Sequence, residues 1–177
     1  AIQKRGHCLA GADLLDRLQD AHPRAIGFDV MFSEPSTSAP EGDRALAEAV
    51  ARSGRVVLPV MVERTEPNGM PIEVLPLPAL ATAASAMGHA AVDLDEDGVT
   101  RSAYLQGGLG TPHWPALALA MLASSTGKPG PVMPGERAPQ QEASPYLWHR
   151  DHRVLVPYVH SGSFQQVSYV DVIRGQV

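Results

Sequence analysis

The sequence offers four side chains for binding chemistry, and three of them are carboxylates. Asp29 lies inside the apolar run RAIGFDVMF, Glu34 follows that run, and Asp43 opens the next helical pattern. An ionised carboxylate within a buried strand is costly unless it is paired or reaches the end of the strand. Ligands of open α/β sheets collect beyond the carboxyl ends of parallel strands. We therefore expect a ligand site at Asp29, Glu34 and Asp43, with Arg101 as a counter-charge.

A structural role for Asp29 is the alternative, and the residues alone favour it. The carboxylate could accept backbone N–H groups from the following loop, or it could pair with an arginine such as Arg101. If the acidic groups instead face a ligand, a cation or an amine suits them better than a phosphate. Both interpretations exclude a reagent role, and we predict no catalytic residue and no cofactor.

The turn DLDEDG begins with Asp93, Asp95 and Asp97 at the spacing of a calcium loop. Such a loop also needs a bidentate glutamate at its twelfth position, and that position here is Tyr104. Carboxylates in turns are commonly just solvated turn formers. Arg101 could pair with one of these aspartates. The three aspartates are therefore only a secondary metal candidate, and no metal is predicted.

Other motifs fall short of their catalytic or metal-binding templates. His149-Arg-Asp-His152 lacks the asparagine of a kinase loop, because Val156 stands in its place, and no glycine-rich loop precedes it. Two histidines without a third ligand do not predict a zinc site. The serines of Ser161-Gly-Ser163 lack the glycine of a nucleophile elbow. Cys8 is the only cysteine, which excludes an internal disulfide.

The first sixty residues predict a parallel βαβ unit. Leucines at helical spacing from Leu9 to Leu18 predict a helix, and the apolar run Ala25–Phe32 predicts a strand covered on both faces. A helix beginning at Gly42 or Asp43 leads to a second strand at Val56–Val62. This order implies an α/β fold. We predict a mixed sheet with a parallel βαβ core, helices on its faces and an antiparallel strand pair.

Later elements carry weaker signals. Four prolines predict a surface excursion at Thr65–Pro78, and the acidic turn is expected to join two antiparallel strands at Met87–Asp93 and Val99–Gln106. The remaining predictions are helices at Leu80–Ala86, Trp114–Ala123 and Tyr169–Arg174, a loop at Gly127–Ser144, and a strand pair at Tyr146–His149 and Val154–Val159.

Composition limits the classes of function. The chain has 177 residues, enough for one domain with its own core. The net charge of −5 gives no basic surface for nucleic acid. No apolar run approaches the roughly 20 residues that span a bilayer, and no signal peptide is evident. The chain itself is expected to be soluble, as a domain excised from a membrane protein would be.

Six segments in order resemble one family. The run RAIGFDVMFSEP, followed by GDRALAEAV and GRVVLPV, resembles the core of the second CHASE family of bacterial sensory domains (cyclase/histidine-kinase-associated sensory extracellular). MGHAAVDLDEDGVTRSAYL, WPALALAMLA and VSYVDVIRGQV resemble its acidic-turn segment, apolar helix and closing segment. The family's opening strand and Trp/Pro stretch are missing from Ile2–Cys8, and its final strand would lie beyond Val177. We therefore expect residues 1–177 to be a single extracytoplasmic sensory domain trimmed at both ends.

The resemblance implies a periplasmic or extracellular input domain of a membrane receptor. The output module in this family is a histidine kinase, a nucleotide or diguanylate cyclase, or a protein kinase. The family has no assigned catalytic residues, and its ligands are generally unknown. We expect an unknown small ligand or periplasmic partner, a homodimer in the parent receptor, and membrane contact only through flanking helices.

Two other functions remain open from the residues. An α/β hydrolase-like or transferase enzyme could use Asp29 and Glu34, if the carboxylates converge with a nucleophile or metal. A protein-interaction module without a small ligand could use the Thr65–Pro78 excursion as its contact surface.

Overall fold

The structure is a computed structural model that describes residues 5–37, 39–64, 66, 69–127, 133–138 and 144–176, with the side chains of residues 5–7 left aside. The helices are α1 (Arg5–Gln19), α2 (Pro40–Ser53), α3 (Pro78–Ala83), α4 (Leu117–Thr126) and α5 (Tyr169–Arg174). The strands are β1 (Ile26–Gly27), β2 (Val56–Arg64), β3 (Pro71–Val74), β4 (Ala86–His89), β5 (Ser102–Gly110), β6 (Trp114–Pro115) and β7 (Ser144–Leu155).

Strand β2 is the centre of the parallel sheet. It pairs in parallel with β1, where Ile26 faces Val56, and with β4, where Val57 faces Ala86. Its first five residues are buried, as a strand covered on both faces requires. The predicted βαβ core is confirmed, because α2 connects β1 to β2 and Gly54 ends that helix in the left-handed conformation.

Helices α1, α2 and α3 enclose the main core against β1 and β2. The fully buried members include Leu15, Leu46, Val50 and Leu80. The helix predicted from Leu9 to Leu18 is confirmed and begins earlier, at Arg5. Helix α2 begins at Pro40, ahead of the predicted start, because proline is well tolerated in the first turn of a helix.

The predicted strand Ala25–Phe32 is mostly wrong, because β1 ends at Gly27. The Phe28 amide still donates to Val57, at 3.0 Å, but the Val30 amide turns back to the Phe28 carbonyl at 2.7 Å, so the chain leaves the sheet there. The rings of Phe28 and Phe32 stack with centroids 5.7 Å apart. The apolar residues of this segment cover the core although the segment is a coil. A run of apolar residues does not by itself distinguish such a coil from a buried strand.

The acidic turn forms, but it does not join paired strands as predicted. The Gly98 amide donates to the Asp95 carbonyl at 2.8 Å. Strand β4 runs parallel to β2 and ends at His89, whereas β5 pairs with β7 and β6 in a separate antiparallel sheet. An antiparallel pair is instead built by β3 against the end of β2, inside the expected surface excursion.

Three further boundaries differ from prediction. Trp114 and Pro115 pair with β5, so α4 begins at Leu117 rather than Trp114. The strands expected at Tyr146–His149 and Val154–Val159 are one long strand, β7. Helix α3 begins and ends earlier than the predicted Leu80–Ala86.

The end of the chain follows the prediction where it is described. Helix α5 and its stop at Gly175 are confirmed. Most of the loop predicted at Gly127–Ser144 lies outside the described residues, and within it Glu136 pairs with Arg153 of β7. The fold class, α/β with a mixed sheet around a parallel core, is confirmed.

Candidate functional site

A cavity of about 330 Å³ lies between the start of α1, the first turn of α2 and the segment that follows β1. Its described lining consists of Cys8, Val30, Met31, Phe32, Ser33, Glu34, Ser36 and Asp43. The cavity is positioned by helix packing, because Gly42 of α2 lies against Cys8: a Cβ there would be 3.4 Å from the cysteine Cβ. A Cβ at this distance would make an ordinary van der Waals contact, so the two helices pack directly against each other here.

Asp43 joins three parts of the chain around the cavity. Its Oδ1 accepts a hydrogen bond from the Cys8 thiol at 3.1 Å, and its Oδ2 accepts one from the Ser36 backbone N–H at 2.7 Å. The Ser36 hydroxyl accepts the Ala39 N–H at 3.2 Å, just before α2 begins. A carboxylate in the first turn also interacts favourably with the helix dipole. Asp43 therefore fixes the loop and α1 to the start of α2.

The Cys8 thiol is a hydrogen-bond donor at neutral pH. Burial, its hydrogen bond to Asp43 and the charge of Asp43 together raise the pKa of Cys8 to about 11. The thiolate is the nucleophilic form of cysteine, so a raised pKa makes the group unreactive. This contact arises from residues 35 positions apart. The contact between Cys8 and Asp43 depends on how α1 packs against α2. The sequence does indicate one part of it, because the spacing of Cys8, Ala12 and Leu15 puts Cys8 on the buried face of α1.

Glu34 and Asp43 both line the cavity. Asp43 is half-buried in the cavity, and Glu34 is exposed on its lining. Val30, Met31 and Phe32 add an apolar wall. The described lining therefore combines two carboxylates with an apolar side.

Asp29 is not where the sequence placed it. The sequence put this carboxylate inside a buried strand, but the residue is exposed and lies beyond the end of β1. It is not among the described residues that line the cavity. The error follows from the length of β1, since the chain turns away from the sheet directly after Phe28.

Arg101 binds the acidic turn and is likewise not among the described lining residues. Its Nη1 donates to Oδ2 of Asp95 and to Oδ1 of Asp97, both at 2.9 Å, and its Nη2 donates to Oδ2 of Asp97 at 2.7 Å. The predicted pairing of Arg101 with these aspartates is confirmed. The hydrogen bonds from Arg101, with one from the Val99 backbone, lower the pKa of Asp97.

Asp93, the remaining aspartate of the acidic turn, also contacts an arginine. Asp93 accepts a hydrogen bond from Arg150 of β7, whose guanidinium lies over the Tyr104 ring. Arginine partners therefore hold the turn against the second sheet. In the described part of the chain, no group of three or more His, Cys, Asp or Glu side chains could hold a metal ion.

The His149–His152 segment has a structural role in β7. Asp151 accepts the Ala138 N–H at 2.8 Å and pairs with Arg137 at 2.9 Å. Burial alone would raise the pKa of Asp151, but the backbone hydrogen bonds from Ala138 and His152 and the charge of Arg137 lower it. These contacts attach the preceding loop to the strand.

The comparison with protein families decides the class of the chain. A family model described as the CHASE2 domain matches residues 10–177. The chain belongs to the CHASE2 family. CHASE2 domains are extracellular sensory domains of signalling receptors. No curated protein and no solved structure matches this CHASE2 domain significantly. Among its described helices, none has the length and apolar character needed to cross a membrane.

Proposed function

We propose that this CHASE2 domain is the non-catalytic input domain of a bacterial transmembrane receptor, held outside the cytoplasmic membrane. The output module is a histidine kinase, a nucleotide or diguanylate cyclase, or a protein kinase. Family membership across residues 10–177 is the observation that carries this proposal. The domain works as a homodimer, and it contacts the membrane only through flanking helices.

The cavity between α1 and α2 is the proposed point of signal entry. Cys8 of α1 and Asp43 of α2 both line it, so an occupant changes the contact between these helices. A ligand shifts a conformational equilibrium only through its different affinities for the two states. Loosening or tightening the Cys8–Asp43 hydrogen bond supplies such a difference.

Helix α1 also connects the cavity to α5 near the end of the chain. Burial and the nearby charge of Asp13 raise the pKa of Tyr169, which begins α5. At the end of α5, a Cβ on Gly175 would lie 3.3 Å from Nη1 of Arg17. A shift of α1 therefore displaces α5, which is the route that we propose for a signal to leave the domain.

Two features support a non-catalytic role over a hydrolase. Asp29, one of the two carboxylates that such an enzyme would use, is not among the described lining of the cavity. The raised pKa of Cys8 removes the one thiol as a nucleophile at neutral pH.

A protein-interaction module is the second candidate, favoured by one observation. Met70 and Ile72, at the start of β3, are 62% and 44% exposed. Exposed apolar side chains next to one another suit a protein contact. This candidate predicts that substitution of Met70 and Ile72 by serine disrupts signalling, whereas substitutions in the cavity do not.

Site-selective labelling of the complete reading frame tests the location. Ser161 lies in an exposed turn, so Ser161→Cys in a Cys8→Ser background provides one accessible thiol within this domain. Any cysteine that the reading frame encodes outside the domain is replaced by serine. A membrane-impermeant maleimide should label this variant in intact spheroplasts. Labelling that occurs only after lysis would contradict an extracytoplasmic domain.

A further inference from the structure

Among the described residues, His89 is the most deeply buried ionisable side chain, at 3% exposure. It is the last residue of β4, and its backbone forms a parallel bridge to Ala116, directly after β6. The Ala116 amide donates in turn to the Leu105 carbonyl of β5 at 2.8 Å. His89 therefore lies where the parallel strands meet the antiparallel sheet.

Two tryptophans pack at the same place. The rings of His89 and Trp148 meet in a T-shaped arrangement, with centroids 6.0 Å apart. Trp148 covers Gly107 of β5, where a Cβ would lie 2.9 Å from the indole, and Trp114 is the cross-strand partner of the same glycine. His89, Trp114 and Trp148 together form what we call the sheet junction.

The sheet junction contains four polar atoms without partners. They are both ring nitrogens of His89 and the indole nitrogens of Trp114 and Trp148, and all four are buried. Elsewhere in the described part of the chain, every buried side-chain nitrogen and oxygen has a hydrogen bond. A buried polar group without a partner has lost its contact with water and gained no other, so such groups are rare in folded proteins.

The imidazole of His89 suits this site only while it is neutral. Burying a charge without a partner costs far more than burying a neutral polar group. Burial accordingly lowers the pKa of His89, and the Tyr104 backbone, which lies near the ring without completing a hydrogen bond, offsets part of this effect. Charged side chains are not among the causes, so a protonated ring would have no ion pair to stabilise it.

The elements packed against β4 supply no compensating charge. Helix α4 and strand β6 carry no ionisable side chain. His113, the residue before β6, lies 3.5 Å from a carboxylate oxygen of Glu73. On β2, Glu63 and Arg64 are exposed and lie beyond the point where His89 pairs with that strand.

Strands β5 and β7 use their ionisable groups in other contacts. Tyr104 of β5 lies under the guanidinium of Arg150, which binds Asp93, and Asp151 pairs with Arg137 at 2.9 Å. The remaining ionisable side chains of β7 also have partners: His149 the Ser144 amide, His152 the Pro134 carbonyl and Arg153 the Ser102 hydroxyl. The described charges therefore leave the imidazole of the sheet junction without a counter-ion.

We propose that His89 makes the sheet junction sensitive to acid, so that protonation of its ring separates β4 from Trp148 of β7. Separation gives the imidazolium and the two indole N–H groups access to water. Above pH 6.5, the ordinary pKa of histidine, neither form is protonated and the packed form is favoured. Below it, the ratio of separated to packed form should rise about tenfold per pH unit, until the packed form is protonated too. Proton sensing adds to the proposed sensory function an input that is separate from the cavity.

Tryptophan fluorescence reports on the sheet junction selectively, because Trp114 and Trp148 are the only tryptophans of the chain. Acidification from about pH 8 to about pH 5, where histidine titrates, should move the emission maximum to longer wavelength, since water then reaches the indoles. His89→Phe keeps a ring against Trp148 and has no titrating group, so its emission should not change. His160→Gln, at an exposed histidine, is the matched control and should respond like the unsubstituted chain.

Three results would overturn the proposal. They are a constant emission maximum in the unsubstituted chain, an equal shift in His89→Phe, and loss of the shift in His160→Gln.

An NMR titration of the histidine rings keeps the proposal testable if His89→Phe does not fold. In the unsubstituted chain the His89 ring should titrate at lower pH than the exposed His160 ring, because burial disfavours its charged form. The indole N–H signals of Trp114 and Trp148 should change along the His89 curve. A His89 ring that titrates together with His160, or indole signals that follow another histidine, would contradict the proposal.

The outcome is separable from that of the receptor proposal. An emission maximum that does not depend on pH would overturn the acid response and leave the Ser161→Cys labelling result intact. An acid-induced shift together with labelling only after lysis would support the acid response and contradict the receptor proposal.

Discussion

The Cys8 thiol donates a hydrogen bond to Oδ1 of Asp43 across 3.1 Å, and this contact joins α1 to the first turn of α2. The opposite oxygen of the same carboxylate holds the Ser36 amide at 2.7 Å. One side chain therefore fixes three segments around a cavity. This acidic group therefore ties the packing of α1 and α2 to the lining of the cavity.

Replacing Asp43 by asparagine should destabilise the domain. The amide group of asparagine places a donor where the carboxylate accepts, so either the Cys8 thiol or the Ser36 N–H loses its acceptor. We expect the free energy of unfolding to fall by about 1–3 kcal/mol, the range for the loss of a hydrogen bond to a charged group. Urea denaturation measures this change. Glu48→Gln should change it by less than about 0.5 kcal/mol, as is usual for surface substitutions; equal effects would remove the special role of Asp43.

The raised pKa of Cys8 predicts a loss of stability at alkaline pH. The pKa of Cys8 is about 11 in the folded state against an ordinary value of 9.0, so the folded protein holds the thiol proton more tightly than the unfolded chain does. This stabilisation is complete below pH 9.0 and is lost as pH rises through about 11. The unsubstituted chain should therefore lose more stability over this range than Cys8→Ser, whose hydroxyl does not titrate there. Parallel pH profiles of the two proteins would refute the assignment.

Alkylation of Cys8 should report the same hydrogen bond. The rate with iodoacetamide depends on the thiolate, so it should be slow at neutral pH and rise steadily up to strongly alkaline pH. Burial is the first cause of the raised pKa of Cys8 and remains in Asp43→Asn, but this variant removes the negative charge that adds to it, so it should increase the neutral-pH rate. A rate that already levels off near neutral pH in the unsubstituted chain would show that Asp43 does not act on the thiol.

Substitution of Arg101 should alter the titration of the acidic turn. The hydrogen bonds from Arg101 are the first cause of the low pKa of Asp97, with the Val99 backbone second. Arg101→Gln should therefore raise the pKa of Asp97 towards its ordinary value of 3.8, as measured by NMR. The stabilisation from this pair is present above that value and is lost as pH falls through the lowered pKa. Arg44→Gln, which affects an exposed pair on α2, should leave Asp97 unchanged.

Gly88 and Gly27 both pack against α4, one against its backbone and the other against a flexible side chain. A Cβ on Gly88 would lie 2.8 Å from the Cα of Leu117, which is backbone and cannot move alone. A Cβ on Gly27 would lie 2.3 Å from the Met121 sulfur, whose side chain can change rotamer. Gly88→Ala should cost about 1–3 kcal/mol, as overpacking does, and Gly27→Ala should cost less. Urea denaturation compares them, and the reverse order would contradict this packing.

Local patterns predict the central layer of this fold well. Continuous apolar runs and helical spacing gave α1, α2 and β2, because these elements bury their apolar faces in one core. The same signal overextended β1, since Phe28 and Phe32 cover the core from a coil. The prolines of the Thr65–Pro78 segment hid strand β3, which pairs with the last residues of β2. Pro71 is tolerated there because it is the first residue of the strand.

The site was predictable only in part. The approach of Glu34 to Asp43 follows from their places after β1 and at the start of α2, which local patterns indicate. The contact of Cys8 with Asp43 depends on how α1 packs against α2, which no local pattern specifies. Asp29 was misplaced for the same reason, because its exposure depends on where the chain turns away from the sheet.

An NMR comparison of Asp43→Asn with the unsubstituted chain tests most directly whether the packing of α1 against α2 is coupled to α5. The account predicts chemical-shift changes at the backbone amides of Cys8 and Ser36, which contact Asp43, followed along α1 by smaller changes in α5. Glu48→Gln, on an exposed face of α2, should leave α5 unchanged. Changes that stop at the first turn of α2, or equal changes in α5 for both variants, would contradict the account.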